Sequence, residues 1–310
     1  MQKKIPFGAA IAHGYNFVLG QFINVSLLIL APLVIAIFIG ALGLGSALQF
    51  MSAMKAGDPA AWSHFGPLIP VYVIAALLHL TMFTMTSEYA LGLRQPSLFG
   101  FPFGKPVWRV IGAIFLAALA IIMGLVLFGL AIFFLTMLLG IVGSMLVPAE
   151  AVAPIAAITS VLTVFFVYGA IIYAVFRLTF LIVPLTLMLQ RIDLYESWRL
   201  TKGNFWRILG IFAAIFLPFI VVEYALIFAA IGFPPALPDG ASQAAQLQAS
   251  MAWNIAMFQA IRTYWYITIP FLFAATVFIC GAFSGAQAFA YRALTEDVSA
   301  PVASNSLPDR

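Results

Sequence analysis

Four ionisable residues stand inside strongly apolar stretches of the chain: His79, Glu88, Arg177 and Glu223. A charged group surrounded by hydrocarbon is costly, so each one raises the question of what it pairs with or what it handles. Glu223 is the most demanding. It follows Pro218 by five positions, deep in an apolar run that begins near Ile208. On an isolated helix it cannot reach water. Three readings are open for it. It pairs with Arg262 or His79, it is a protonated acid hydrogen-bonded to backbone, or it serves a proton- or substrate-linked step. Glu88 and Arg177 lie nearer the ends of their runs, where they can pair with each other or extend their stems to the interface.

A second group is basic and aromatic: Trp198, Arg199, Lys202, Trp206 and Arg207. Asp193 is a good N-cap, and Glu196 follows three residues later, as in a capping box. The spacing predicts an amphipathic helix over 193–207. Leu194, Trp198, Thr201 and Phe205 share one face, Glu196 is placed to pair with Arg199, and Gly203 is a candidate C-cap. Such a helix offers cations to anionic headgroups or to a partner protein. The alternative is a basic loop that only sets topology.

Other chemistries find little support. His13, His64 and His79 fall on different elements, and no HxxxH or CxxC pattern occurs, so no metal ligands are expected. The lone Cys280 has no internal disulfide partner. Gly281 and Gly285 form a GxxxG, which reads as a helix-packing motif. Ser284 lies between them with no recognisable base. No catalytic or cofactor-binding residue is expected.

The elements that must position these residues follow from composition. Of 310 residues, 64% are apolar and 8% charged, against roughly half and a quarter in soluble domains. Mean hydropathy is +1.11. A soluble chain of this length cannot hide that much apolar surface, so the expected class is an all-α, polytopic transmembrane helix bundle. A span takes roughly 20 apolar residues. Six stretches qualify, at about 22–50, 67–93, 110–147, 152–189, 208–233 and 266–294. The third and fourth are long enough that two short crossings each, eight in all, is the competing layout. The fourth is expected to break between Arg177 and Pro184, with 178–190 turning along the membrane.

Lys and Arg are distributed unevenly between the two sets of loops. Eleven fall on one side and two, Lys55 and Arg262, on the other. The positive-inside rule then places both termini in the cytoplasm and the loops 51–66, 148–151 and 234–263 outside. The net charge of +4 is not gathered on a soluble surface, so no nucleic-acid partner is expected. The N-terminus lacks a clean signal-peptide core and is read as retained. Phe7, Ile11, Tyr15, Val18 and Phe22 outline an apolar face on an interfacial helix before the first span.

Trp108-Arg109-Val110-Ile111-Gly112 reappears 98 residues later as Trp206-Arg207-Ile208-Leu209-Gly210. Tyr15 to Gly20 occupies the equivalent place before the first span. One domain is therefore expected over 1–295, built as a threefold repeat of hairpins (5–95, 96–190, 191–295) with inner-face helices and a degenerate middle unit around Pro102, Gly104 and Pro106. A flexible cytoplasmic tail is expected over 296–310.

Arg177-Leu178-Thr179, Pro184 and the run Ser197 to Gly210 resemble the signature of the glycerophosphoryl diester phosphodiesterase membrane-domain family. The specific match covers some thirty residues. It implies a bacterial inner-membrane protein with this helical layout. In the named enzymes of that family a soluble barrel after the membrane part carries the hydrolysis. Here about sixteen residues follow the last span, so no barrel is expected, and Leu189-Gln190 stands where the family often carries a Glu. The resemblance implies architecture and not hydrolysis. The leading expectation is a non-enzymatic protein that organises membrane lipids, anionic ones included, or a partner membrane complex. The alternatives are a small-solute or lipid transporter or channel with a site near Glu223, and a membrane-embedded lipid-modifying enzyme.

Overall fold

The computed structural model describes residues 3–96, 104–146, 149–234 and 242–295. The tail over 296–310, Pro102 and the 148 end of the predicted short loop lie outside them. Among the described residues there are ten α-helices, one 3-10 turn and no strand.

The helices are α1 (Phe7–Gly20), α2 (Phe22–Ala56), α3 (Leu68–Ala90), α4 (Lys105–Leu146), α5 (Ala149–Thr179), α6 (Ile182–Leu189), α7 (Leu194–Leu200), α8 (Phe205–Ile231), α9 (Gln243–Thr263) and α10 (Trp265–Thr295). Six stretches are long and apolar enough to cross a bilayer: Phe22–Ala56, Pro59–Ala90, Lys105–Phe134, Val161–Leu189, Phe205–Ile231 and Trp265–Thr295. The protein is a multi-pass helical membrane protein. α4 runs unbroken, and the fourth stretch is long enough for one crossing, so the described residues hold six spans and not eight.

The fourth span breaks where expected. α5 ends at Thr179 and α6 starts at Ile182, which puts Pro184 in the first turn of α6. A proline is tolerated there because first-turn N–H groups lack intrahelical partners anyway. α6 is buried from Ile182 through Leu187 and packs on α5 and α7.

Two further expectations are corrected. The stretch 234–263 is not simply a loop: α9 takes most of it, with the Ser242 hydroxyl accepting from the Ala245 amide at 3.3 Å as an N-cap. Its Ala, Gln and Met content favours helix although it is too polar to rank as a span. The predicted helix over 193–207 is also two pieces. α7 stops at Leu200, Gly203 takes a left-handed φ of 71°, and Phe205, Trp206 and Arg207 open the first turn of α8.

The described residues divide into two compact units. One holds residues 3–5, 108–209 and 293–295. Its packing centres on α5, α6 and α7. The other holds residues 6–107 and 210–292. Its core joins Val25, Leu28, Ile29 and Leu33 of α2 to Met82 and Met85 of α3 and to Val277 and Cys280 of α10.

Within that second unit α1 packs by small residues together with Val18 of its apolar face. Its buried residues are Ala10, Gly14 and Val18, while Phe7 is 44% exposed. The reason is close approach to α10. Gly14 lies against the Ala282 carbonyl, and Gly281 and Gly285 lie against Val18 and Phe17. Small residues let helix backbones come together. The Gly281–Gly285 pair is a packing motif, and Ser284 between them shares a hydrogen bond with Ser87 of α3 at 3.1 Å.

Candidate functional site

The first unit brings the sequence-selected Arg177, Trp198, Arg199, Lys202, Trp206 and Arg207 onto one end of α5, α7 and α8. The Asp193 carboxylate accepts from the Glu196 amide at 2.9 Å, so the predicted N-cap is formed. The Glu196 side chain takes the Arg199 guanidinium at 2.6 Å. That contact holds Arg199 above its ordinary pKa, chiefly through the hydrogen bond.

Arg177 is 4% exposed. It donates from one terminal nitrogen to the Tyr173 hydroxyl at 2.7 Å and from the other to the Trp198 carbonyl. Its guanidinium carbon lies over the Trp198 ring. The Nε has no hydrogen-bond partner among the described residues. The Arg177 carbonyl in turn accepts from the Thr201 hydroxyl at 3.0 Å, and Ser197 donates to the Leu178 carbonyl at 2.9 Å. Arg177, Ser197, Trp198 and Thr201 therefore act together as a clamp. They fix α7 to the end of α5, which explains the Arg-Leu-Thr and Ser-Trp-Arg-Leu-Thr spacing without any ligand. Both terminal nitrogens of Arg177 are thus engaged within the first unit. Glu88 pairs with Arg94 at 3.0 Å.

Asn204, which carried no expectation, is the residue that completes this end. It is 1% exposed. Its carbonyl oxygen accepts from the Ile5 amide at 2.9 Å, and its amide donates to the Lys3 carbonyl at 3.2 Å. Arg207 donates to the Ile5 carbonyl at 3.0 Å. The side-chain amide thus pairs with the irregular N-terminal segment as a backbone would, and it brings Lys3 and Lys4 beside the α7–α8 turn. The partners lie 199 residues apart, so no local pattern marks Asn204. Arg207 is half-buried and committed to this segment.

What remains outward is a basic and aromatic rim. Arg191 is 70% exposed at its side chain, beside Asp193, and Arg199 is 61%. Lys4 and Lys202 are exposed. Tyr195 is 73% exposed and Trp206 77%. Exposed Trp and Tyr among cations is the composition of a membrane–water interface. Trp198 is not part of this rim, because its ring is held by Arg177.

Glu223 lies in the second unit, on α8. It lines a cavity of about 350 Å³ with Met257 and Ile261 of α9, Tyr264 at the α9 C-cap, and Thr268 and Leu272 of α10. Neither predicted partner forms an ion pair with it. Arg262 and His79 line a different cavity of about 1040 Å³, and Ile261, Thr268 and Leu272 border both. The His79 Nδ1 is engaged by the Ala75 carbonyl at 2.8 Å. Among the described residues no three His, Cys, Asp or Glu side chains gather as a metal site.

Comparison with family models, with curated proteins and with solved structures gives no match for this chain.

Proposed function

We propose that this protein is a non-enzymatic organiser of membrane lipids that engages anionic headgroups through the rim formed by Lys4, Arg191, Arg199, Lys202, Tyr195 and Trp206. The observation that carries the reading is the pairing of exposed cations with two aromatic side chains more than 70% exposed on one end of the first unit. A basic segment at an anionic surface gains roughly 1 kcal/mol per Lys or Arg. The Arg177 clamp and the Asn204 tether hold that segment rigid, so little ordering cost falls on binding. In this reading the rim faces the cytoplasm of a bacterial inner membrane, both termini lie there, and the Trp-Arg-Val/Ile helix starts at α4 and α8 belong to repeated hairpins.

The test is extraction into native nanodiscs with mass spectrometry of co-purifying lipid and protein. Anionic phospholipid enriched over the bulk membrane is expected, and Arg199→Glu with Lys202→Glu should abolish the enrichment. Equal lipid composition in parent and variant would overturn the reading. A stoichiometric protein partner lost with the same substitutions would turn it into a docking surface for a complex.

A second reading, transport of a small solute or lipid, draws on the Glu223 cavity. It requires Glu223→Gln to abolish flux in reconstituted vesicles while leaving the lipid enrichment intact.

A further inference from the structure

The larger cavity of the second unit is a groove along α2, closed by α9 and α10. Its α2 wall runs from Leu33 to Leu48, about 22 Å at a rise of roughly 1.5 Å per residue. That exceeds half of the bilayer's apolar thickness of roughly 30 Å. The volume of about 1040 Å³ is at the upper end of the roughly 300–1,000 Å³ seen for ligand sites. The hollow is made by side chains that are missing: a Cβ added at Gly40 or Gly45 would meet nothing within 4 Å.

The groove has one permanent charge, Arg262, in the last turn of α9. Its guanidinium is exposed and has no ion pair or hydrogen bond among the described residues. Trp265 lies at the same end. Glu223 is absent from this lining, so no carboxylate in the wall opposes an anion.

We infer that this groove holds an anionic glycerophospholipid, with its phosphate on Arg262 and an acyl chain along Leu33–Leu48. Three features select that occupant. The length suits an extended chain and not a compact solute. The walls are apolar apart from a few groups such as His79 and Thr268. The unpaired guanidinium stands at one end, where a planar fork can hold phosphate oxygens bidentately. This site is independent of the rim on the first unit and uses none of its residues.

The experiment uses the full chain in phosphatidylcholine vesicles doped with phosphatidylglycerol that carries a photoactivatable acyl chain. Crosslinked peptides are read by mass spectrometry. Label is expected in 33–48 and 265–276, and about tenfold less of it in Arg262→Ala, as for loss of one charge-assisted phosphate contact. Arg262→Lys should retain most of the label. Gly40→Leu, which has open space to fill, should lose the label with the protein still folded. Photoactivatable phosphatidylcholine should label the groove less than phosphatidylglycerol does. Equal labelling by the two lipids together with an unchanged Arg262→Ala variant would mean ordinary boundary lipid and overturn the proposal. Loss of groove label in Arg199→Glu with Lys202→Glu would overturn it too, by making the rim the selecting site.

Discussion

The guanidinium carbon of Arg177 lies 3.8 Å from the centroid of the Trp198 ring, and the same guanidinium donates to the carbonyl of Trp198. One residue thus holds the other by ring and by backbone. A desolvated cation–π contact contributes about 2 kcal/mol, and removing the ring leaves a buried cation less well compensated. Trp198→Ala is expected to lower stability by about 2–3 kcal/mol, read as the midpoint of SDS-induced unfolding, with Trp198→Phe intermediate. Because Ser197 and Thr201 close the same clamp, Thr201→Ala combined with Trp198→Ala should cost less than the two separate losses together. Strict additivity would mean that the clamp is not one unit.

Asn204→Ala removes two of the three bonds that align the Lys3–Ile5 segment. Buried Ile5 N–H loses its acceptor, and the segment gains freedom. Trypsin cleavage after Lys4 should accelerate about tenfold, the equivalent of roughly 1.4 kcal/mol. Asn204→Asp keeps the acceptor for Ile5 and loses the donor to Lys3, so it should fall between the two. An unchanged cleavage rate in the alanine variant would show that Arg207 alone holds the segment.

Gly14→Ala places a methyl against the Ala282 carbonyl, a backbone atom that cannot turn aside. Overpacking of this kind costs about 1–3 kcal/mol. Gly8→Ala on the same helix meets nothing within 4 Å and should stabilise by up to about 1 kcal/mol through helix propensity. Opposite signs in the thermal midpoints of these two variants are the expected outcome.

His13 on α1 stacks near Phe289 at 5.3 Å, and its pKa lies below the ordinary 6.5, first through burial and then through Arg292. The docked helix therefore takes up a proton at lower pH than the released helix. Docking is complete above about 6.5 and weakens as pH falls below it. Hydrogen exchange of α1 amides should rise between pH 6.5 and 5 in the parent protein, and His13→Phe should remove that dependence.

The spans, the Asp193 cap and the Pro184 break were legible because each is a local property of hydropathy or backbone chemistry. The roles of Arg177 and Asn204 were not. Arg177 carried a reading based on pairing with a carboxylate, whereas its partners are an aromatic ring and a carbonyl, which no charge pattern displays. Asn204 answers atoms at the far end of the chain. The seat of α1 on α10 was not legible, because periodicity of large apolar residues gives no sign of the small ones, Ala10 and Gly14, that close helix contact selects. α9 was passed over as loop because its composition falls short of a span.

The fit between α1 and α10 has a consequence for biosynthesis. Nearly the whole chain separates Gly14 from Ala282, the carbonyl it rests on. At roughly 5–20 residues per second, the nascent first helix waits on the order of ten seconds or more before its seat leaves the ribosome. Through that interval Val18 and Phe17 have no Gly281 or Gly285 to meet. Completion of the second unit is thus deferred until the last span inserts, and a ribosome stalled before α10 leaves the first helix undocked in the membrane, a substrate for quality-control proteases.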